Sequence, residues 1–274
     1  MKRILIGFLF LFLATASFAT GQDGDIIYVN GVCWQLLGRP VCGNSLLYNR
    51  LKAVLPAERS KSTANWDGFT SYWSIAQNKL CLDSIRCEHY DANRRETVGE
   101  RIPAATLSRV FKNYVNGHRI IAGWLTEDIR IAKGKQLYYE HTGFERNYEE
   151  EQIFSIVKGE VNGKNVFHNF VLDGFSFDGV DNAEIRKRFP LQIEKYPELA
   201  NTKRIVFRIE KARVDGQGNL VECEVKVLKP GDNQRLANEM VRLMKAYRPW
   251  KVSFINGKYR ANGIEGWTIP YLIE

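Results

Sequence analysis

Asn-Gly pairs punctuate runs of alternating apolar and polar residues along this chain, at Asn30-Gly31, Asn162-Gly163 and Asn256-Gly257 among other places. A two-residue type I′ turn needs positive φ at both positions, which Asn and Gly tolerate best. Alternation closed by such a turn is the signature of an antiparallel hairpin. "IIYVNGVCWQLL" should fold back at Asn30-Gly31, "TSYWSIAQNKLCLDSI" at Gln77-Asn78, and "IFSIVKGEVNGKNVFHNFVL" at Asn162-Gly163. Together with "RIIAGW" and "DIRIAKGKQLYYEH", these runs predict a mainly antiparallel β domain over residues 25–180.

One or two helices interrupt it. Pro103 fits a first-turn position, Leu107, Val110, Phe111, Tyr114 and Val115 follow at helical spacing, and Gly117 is a stop. A shorter helix fits "SLLYNRLKAVL".

Residues 181–274 carry a different order. Ile205, Phe207 and Ile209 alternate, Asp215-Gly216-Gln217-Gly218 turns the chain, and Val221, Cys223, Val225 and Val227 share one face of the returning strand. Asp232 is the expected N-cap of a helix with Leu236, Met240, Leu243, Met244 and Tyr247 on one side. Pro249 stops that helix. Trp250, Val252 and Phe254 then alternate up to Asn256-Gly257, and Trp267, Ile269, Tyr271 and Ile273 share a face of the last strand. The order is ββαββ, one helix over a small antiparallel sheet in two layers, so the chain as a whole is α+β. Trp250 and Phe254 are expected to pack beneath Met240 and Met244.

The amino terminus bears on compartment. Lys2 and Arg3 precede "ILIGFLFLFL", and small residues follow in "ATASFA". This is the pattern of a secretory signal peptide, residues 1–19, cleaved after Ala16 or Ala19. The apolar run is shorter than the roughly 20 residues a spanning helix needs, and the first cysteine, Cys33, lies too far on to carry a lipid. An exported, periplasmic chain with no transmembrane segment in its mature form is expected. The formal charge of +8 becomes +6 when Lys2 and Arg3 leave. Its bases are interleaved with acids, as in "EIRKRFPLQIEKYPE", which argues against nucleic acid as a partner.

Five cysteines in an exported chain raise the question of disulfides. Cys223, on the apolar face of its strand, is expected to be a buried free thiol. The other four, Cys33, Cys42, Cys81 and Cys87, allow three connectivities. Nearest-neighbour pairing gives Cys33–Cys42 and Cys81–Cys87, with four unpaired thiols as the alternative. Neither spacing is the C-x-x-C of zinc sites.

The residues offer little for catalysis. His141 and Glu145, with Glu140 beside them and Glu149 to Glu151 close by, could form a metal site or an acid–base pair. "HTGFE" lacks the second histidine of H-E-x-x-H, and Gly143 breaks the helix that pattern needs. His89, His118 and His168 carry no signature either. Ser60, Ser62 and Thr63 in "ERSKSTANWDG" lack the S-x-x-K of a serine nucleophile. The run Glu149-Glu150-Glu151 reads as a solvated loop or helix start rather than a calcium site. No catalytic residue, metal or cofactor is expected. Trp34, Trp66, Tyr72, Trp73 and Trp124 are the material for a sugar platform, but aromatics in strands are mostly core.

Two stretches carry resemblances. "LLYNRLKAVLPAERSKSTANWDGFTSYWSIAQNKLCLDSI" and "GWLTEDIRIAKGKQLYYEHTGFERNYEEEQIFSIVKGEV" resemble a β-rich domain of uncharacterised exported proteins of Bacteroidetes, a likeness that implies a fold and a compartment but no activity. "FPLQIEKYPELA", the "VDGQGNLVECEVKV" hairpin and "YRPWKVSFINGKY" resemble the C-terminal domain of the TonB family, over about residues 189–274. That resemblance implies a periplasmic module that pairs its sheet edge with a short peptide of an outer-membrane protein. "KVSF" departs from the family's Lys-Pro-Ala, and the eight prolines are scattered rather than gathered into a spacer. The expected function is a non-enzymatic envelope adaptor or scaffold that binds a protein by strand addition. The alternative is a glycan- or peptide-binding protein or hydrolase of the envelope.

Overall fold

The computed structural model describes residues 21–139, 142–261 and 263–273. The expected signal peptide lies outside the described residues, as do Glu140 and His141. Among the described residues no helix is long and apolar enough to cross a membrane.

β1 (Asp25–Val29) and β2 (Val32–Leu36) pair across Asn30-Gly31, whose φ values of 51° and 78° are those of the type I′ turn. α1 (Ser45–Lys52) follows, capped by Asn44, whose side chain accepts from the Leu47 N–H at 3.0 Å. β3 (Phe69–Ala76) and β4 (Lys79–Asp91) turn at Gln77-Asn78, again with both φ positive, at 51° and 61°. β5 (Glu96–Arg101) folds back on β4. α2 (Ala104–Val110) starts after Pro103 but is shorter than its spacing predicts. After Phe111 a 3₁₀ turn takes over and sets Tyr114 edge-on against Trp124 at 4.9 Å, so that Val115 already belongs to the next strand. β6 (Val115–Asn116), β7 (Arg119–Ile121), β8 (Glu127–Tyr139), β9 (Arg146–Val157) and β10 (Glu160–His168) complete this half.

The strand order is β10-β9-β8-β2-β1-β3-β4, parallel only between β1 and β3, and β10 returns to β4 through the Glu160–Lys79 pair. Seven strands thereby close into a barrel. Its seam is tied by the Leu80 N–H to the Gly159 carbonyl at 2.9 Å and by the Val161 N–H to the Asn78 carbonyl at 3.0 Å. Ile27, Leu36, Trp73, Leu80, Ile85 and Ile131 are among the buried residues of its core.

The β9–β10 turn is not at Asn162-Gly163. It lies at Lys158-Gly159, with φ of 49° and 81°, and the Asn162 step is a bulge within β10. The reason is a distant contact: a Cβ on Gly159 would sit 2.8 Å from the Ala122 carbonyl carbon, so this tight spot, at positive φ, demands glycine. A turn four residues later would have to carry β9 straight through it.

β11 (Phe170–Leu172), α3 (Asn182–Arg188), β12 (Arg204–Val214), β13 (Leu220–Lys229), α4 (Gln234–Ala246), β14 (Val252–Ile255), β15 (Lys258–Ala261) and β16 (Thr268–Leu272) make the second half. The cap of α4 is Asn233 rather than Asp232, its side chain accepting from the Leu236 N–H at 3.0 Å. The α+β class holds, but the strands form two three-stranded sheets, β13-β12-β16 and β11-β14-β15. Only β16 joins the hairpin beside α4. β14 leaves it to pair with β11, a segment from before α3.

That rearrangement separates Trp250 from Phe254. Trp250 is fully buried at the centre of the second core, its indole N–H donating to the Met244 carbonyl at 3.0 Å and its ring stacked on Phe189 at 5.7 Å. Phe254 instead lies in a row across the small sheet, 5.0 Å from Phe170 and 4.9 Å from Tyr259. Phe175 and Phe177, which precede residue 181, also pack in the second core. Buried Asn169 joins the halves: its side-chain amide donates to the Tyr148 carbonyl at 2.8 Å, and its side-chain oxygen accepts from the Asn256 N–H at 2.9 Å.

Candidate functional site

A polar cluster at the start of the barrel is the first place to look for chemistry. Asp25 enters on β1, Arg39 and Cys42 on the loop after β2, Tyr48 on α1, Asp67 before β3, and Trp73 on β3 itself. Asp25 is fully buried and accepts from the Ser71 N–H at 3.0 Å and the Trp73 indole N–H at 2.9 Å. Arg39 bridges the two acids, 3.9 Å from Asp25 and 3.1 Å from Asp67. Its guanidinium also donates to the Phe69 carbonyl, and Tyr48 donates to Asp67. Burial is the main cause that lifts Asp25 from 3.8 to about 6, against the pull of its donors and of Arg39.

The cluster does not activate a nucleophile. Burial pushes the Cys42 thiol up to about 12, so it stays protonated, and its sulfur sits 3.5 Å from Asp67. Both oxygens of Asp25 are engaged by donors from its own chain. The arrangement braces α1 and its loops against β1 and β3.

The candidates from sequence are scattered. Glu145 is exposed in the turn before β9, and His141 lies outside the described residues. His89, His118 and His168 stand on β4, the β6–β7 turn and the end of β10. The acidic run is neither loop nor helix start but the middle of β9, where side chains alternate. Glu150 pairs with Lys133 at 3.0 Å, while Glu151 is buried and accepts from the Asn147 amide at 3.0 Å and the Tyr148 N–H at 2.8 Å. Among the described residues no group of three or more His, Cys, Asp and Glu is arranged to hold a metal ion. Of the five aromatics, Trp34 and Trp73 are buried, Trp124 packs on Phe111 at 5.3 Å, Arg86 covers Tyr72, and Trp66 is exposed.

All five cysteines are free. Cys81 and Cys87 share β4, and six residues along a strand span about 20 Å, far beyond the roughly 7 Å that a disulfide tolerates between Cα atoms. Cys33 is exposed beside the β1–β2 turn, whereas Cys42 is turned toward Asp67, so the other expected pair is not formed either. Cys223 is buried in β13, and burial raises its thiol to about 11.

The feature with binding potential is an edge. In the sheet β13-β12-β16, the β16 side is covered by α3, and the Leu272 N–H donates to the Asn182 side chain at 3.0 Å. β13 pairs with β12 alone among the described strands. Its ladder slips at Val221 and at Leu228, which have no partner on β12 and are 39% and 50% exposed, and slips once more between them, where Glu210 of β12 is the residue left over. Between them Glu222 to Val227 run as an open edge. Charge pairs cover the outer face of that stretch, Arg213–Glu222 at 3.3 Å and Lys211–Glu224 at 3.0 Å. Bulges and charges are the usual means of keeping an edge from aggregating, and here they confine the accessible ladder to one short segment. The alternation of Val221 to Val227 marked the strand in the sequence, but its place at the edge depends on where β16 docks.

Comparison with models of protein families, with curated proteins and with solved structures finds no match to this chain.

Proposed function

We propose that this chain is a non-enzymatic binding protein of the cell envelope. Residues 1–19 export it to the periplasm, and its C-terminal half acts as a TonB-like adaptor or scaffold module. It pairs with an extended segment of an outer-membrane or other envelope protein. The observation that carries this reading is the open edge of β13 between two bulges. A strand laid along Glu222–Val227 gains main-chain hydrogen bonds for affinity, and the exposed Val221 and Leu228 give contacts for selectivity.

Adjacent residues of a strand direct their N–H groups to opposite sides, so of Glu224 and Val225 one points to β12 and the other to the open edge. Glu224→Pro and Val225→Pro therefore test the edge directly. The variant that loses the inward N–H should be strongly destabilised. The other should melt within a few degrees of the parent yet no longer retain the envelope protein that the immobilised parent captures from its native host. A folded parent that captures none, or a folded edge variant that captures it equally well, refutes the reading.

A further inference from the structure

We propose a second ligand site, in a cleft of the C-terminal half that Tyr138 of the barrel borders, that takes a short zwitterionic peptide. The cleft has a volume of about 610 Å³, within the span of small-ligand pockets. Tyr138 of β8 lines it from the barrel side. Arg213 and Glu222, from the outer face of the β12–β13 hairpin, and Tyr259, Arg260 and Glu265, on β15 and the segment after it, line the other side.

The charges select the ligand. Arg213 and Glu222 already neutralise each other at 3.3 Å, and Lys211, also at the cleft, is held by Glu224 at 3.0 Å. Arg260 and Glu265 are exposed, and neither forms a close ion pair among the described residues, although Glu265, after Glu224 and Glu222, helps to raise the Lys211 ammonium from a longer distance. One unpaired cation and one unpaired anion in a single cleft suit a molecule that carries a carboxylate and an ammonium group. A neutral sugar would answer neither, and an acidic sugar only Arg260.

The backbone points the same way. β15 is the outer strand of its sheet and borders the cleft with three consecutive residues, Tyr259, Arg260 and Ala261, so unpaired main-chain groups of a strand lie beside the ligand space. A peptide can use them; a sugar matches their spacing poorly. The Tyr259 wall is held in place before any ligand arrives. Its ring lies 4.9 Å from Phe254, and its hydroxyl sits so close over Gly216 that an added Cβ there would come within 2.5 Å of it.

The site shares Glu222 with the β13 edge but asks for a different ligand, and calorimetry of the purified chain can separate the two. The probe is the tetrapeptide Ala-Phe-Ala-Ala with free termini, compared with its C-amidated and N-acetylated forms. Saturable 1:1 binding is expected. Amidation should weaken it about tenfold in the parent but not in Arg260→Ala, and acetylation about tenfold in the parent but not in Glu265→Ala. Gly216→Ala, which displaces Tyr259 without removing a contacting group, should weaken all three peptides alike. Leu228→Ala, a change at the β13 edge that leaves every residue lining the cleft in place, should bind as the parent does. The proposal falls if the folded parent shows no saturable heat at millimolar peptide, if free and blocked peptides bind equally, or if glucuronic acid binds in preference to the peptide.

Discussion

Asp25→Asn should abolish a pH dependence that the parent chain owes to one buried carboxyl. In the folded protein Asp25 is fully buried, and its pKa rises from 3.8 to about 6. In the unfolded chain it returns to its ordinary value. Between those two pH values the folded state therefore keeps a proton that the unfolded state has released. The stabilisation is complete below about pH 4 and is lost as the pH rises through about 6. The difference between the two pKa values corresponds to about 3 kcal/mol. Cys42 and Tyr48, which border the cluster, are both pushed up to about 12 and do not titrate in this window. The amide in the variant cannot titrate, so the stability of the parent minus that of Asp25→Asn should rise by about 2.5 kcal/mol from pH 7.5 to pH 4. Urea unfolding followed by tryptophan fluorescence measures it, and carboxyls common to both chains cancel in the difference. A difference that stays constant across this range would refute the reasoning.

Trp250→Ala removes the ring that Phe175, Phe177, Phe189 and Tyr247 surround and leaves the Met244 carbonyl without its indole donor. A loss of about 3–5 kcal/mol in urea unfolding is expected, and a loss below about 1 kcal/mol would contradict the central place given to this residue. For the cysteines, the unreduced, denatured chain should titrate as five thiols, and in the native chain exposed Cys33 should react with a thiol reagent well before buried Cys81, Cys87 and Cys223. A mass two hydrogens short per bridge would restore the disulfides.

The parts of this fold that the sequence makes legible are those decided within a few residues. Asn30-Gly31, Gln77-Asn78 and Asn256-Gly257 turn where they stand because their own φ preferences allow it. Asn162-Gly163 has the same local preference and loses to Lys158-Gly159, since the choice rests on how close Gly159 comes to Ala122. Likewise Trp250 and Phe254 alternate as expected, yet their destinations depend on β11, some eighty residues upstream, pairing with β14. The parallel pairing of β1 with β3 leaves no mark in a local pattern. Asp25 did leave one: it occupies the inward register of Ile27 and Val29, and an acid in that register implies a buried partner. The open edge of β13 and the cleft beside β15 come from docking, which periodicity does not record.

The barrel seam carries a consequence for the order in which the chain can fold. Because its closing pair joins Lys79 to Glu160, β4 has no partner at that seam until more than half of the chain has been made. Non-local closures of this kind come late and slowly. Yet β10 ends at His168 and β11 begins at Phe170, so a single residue, Asn169, hands the chain from one core to the next. A ribosome that releases the last strand of the barrel is already releasing the first strand of its neighbour, and that strand then waits some eighty residues for β14, its partner.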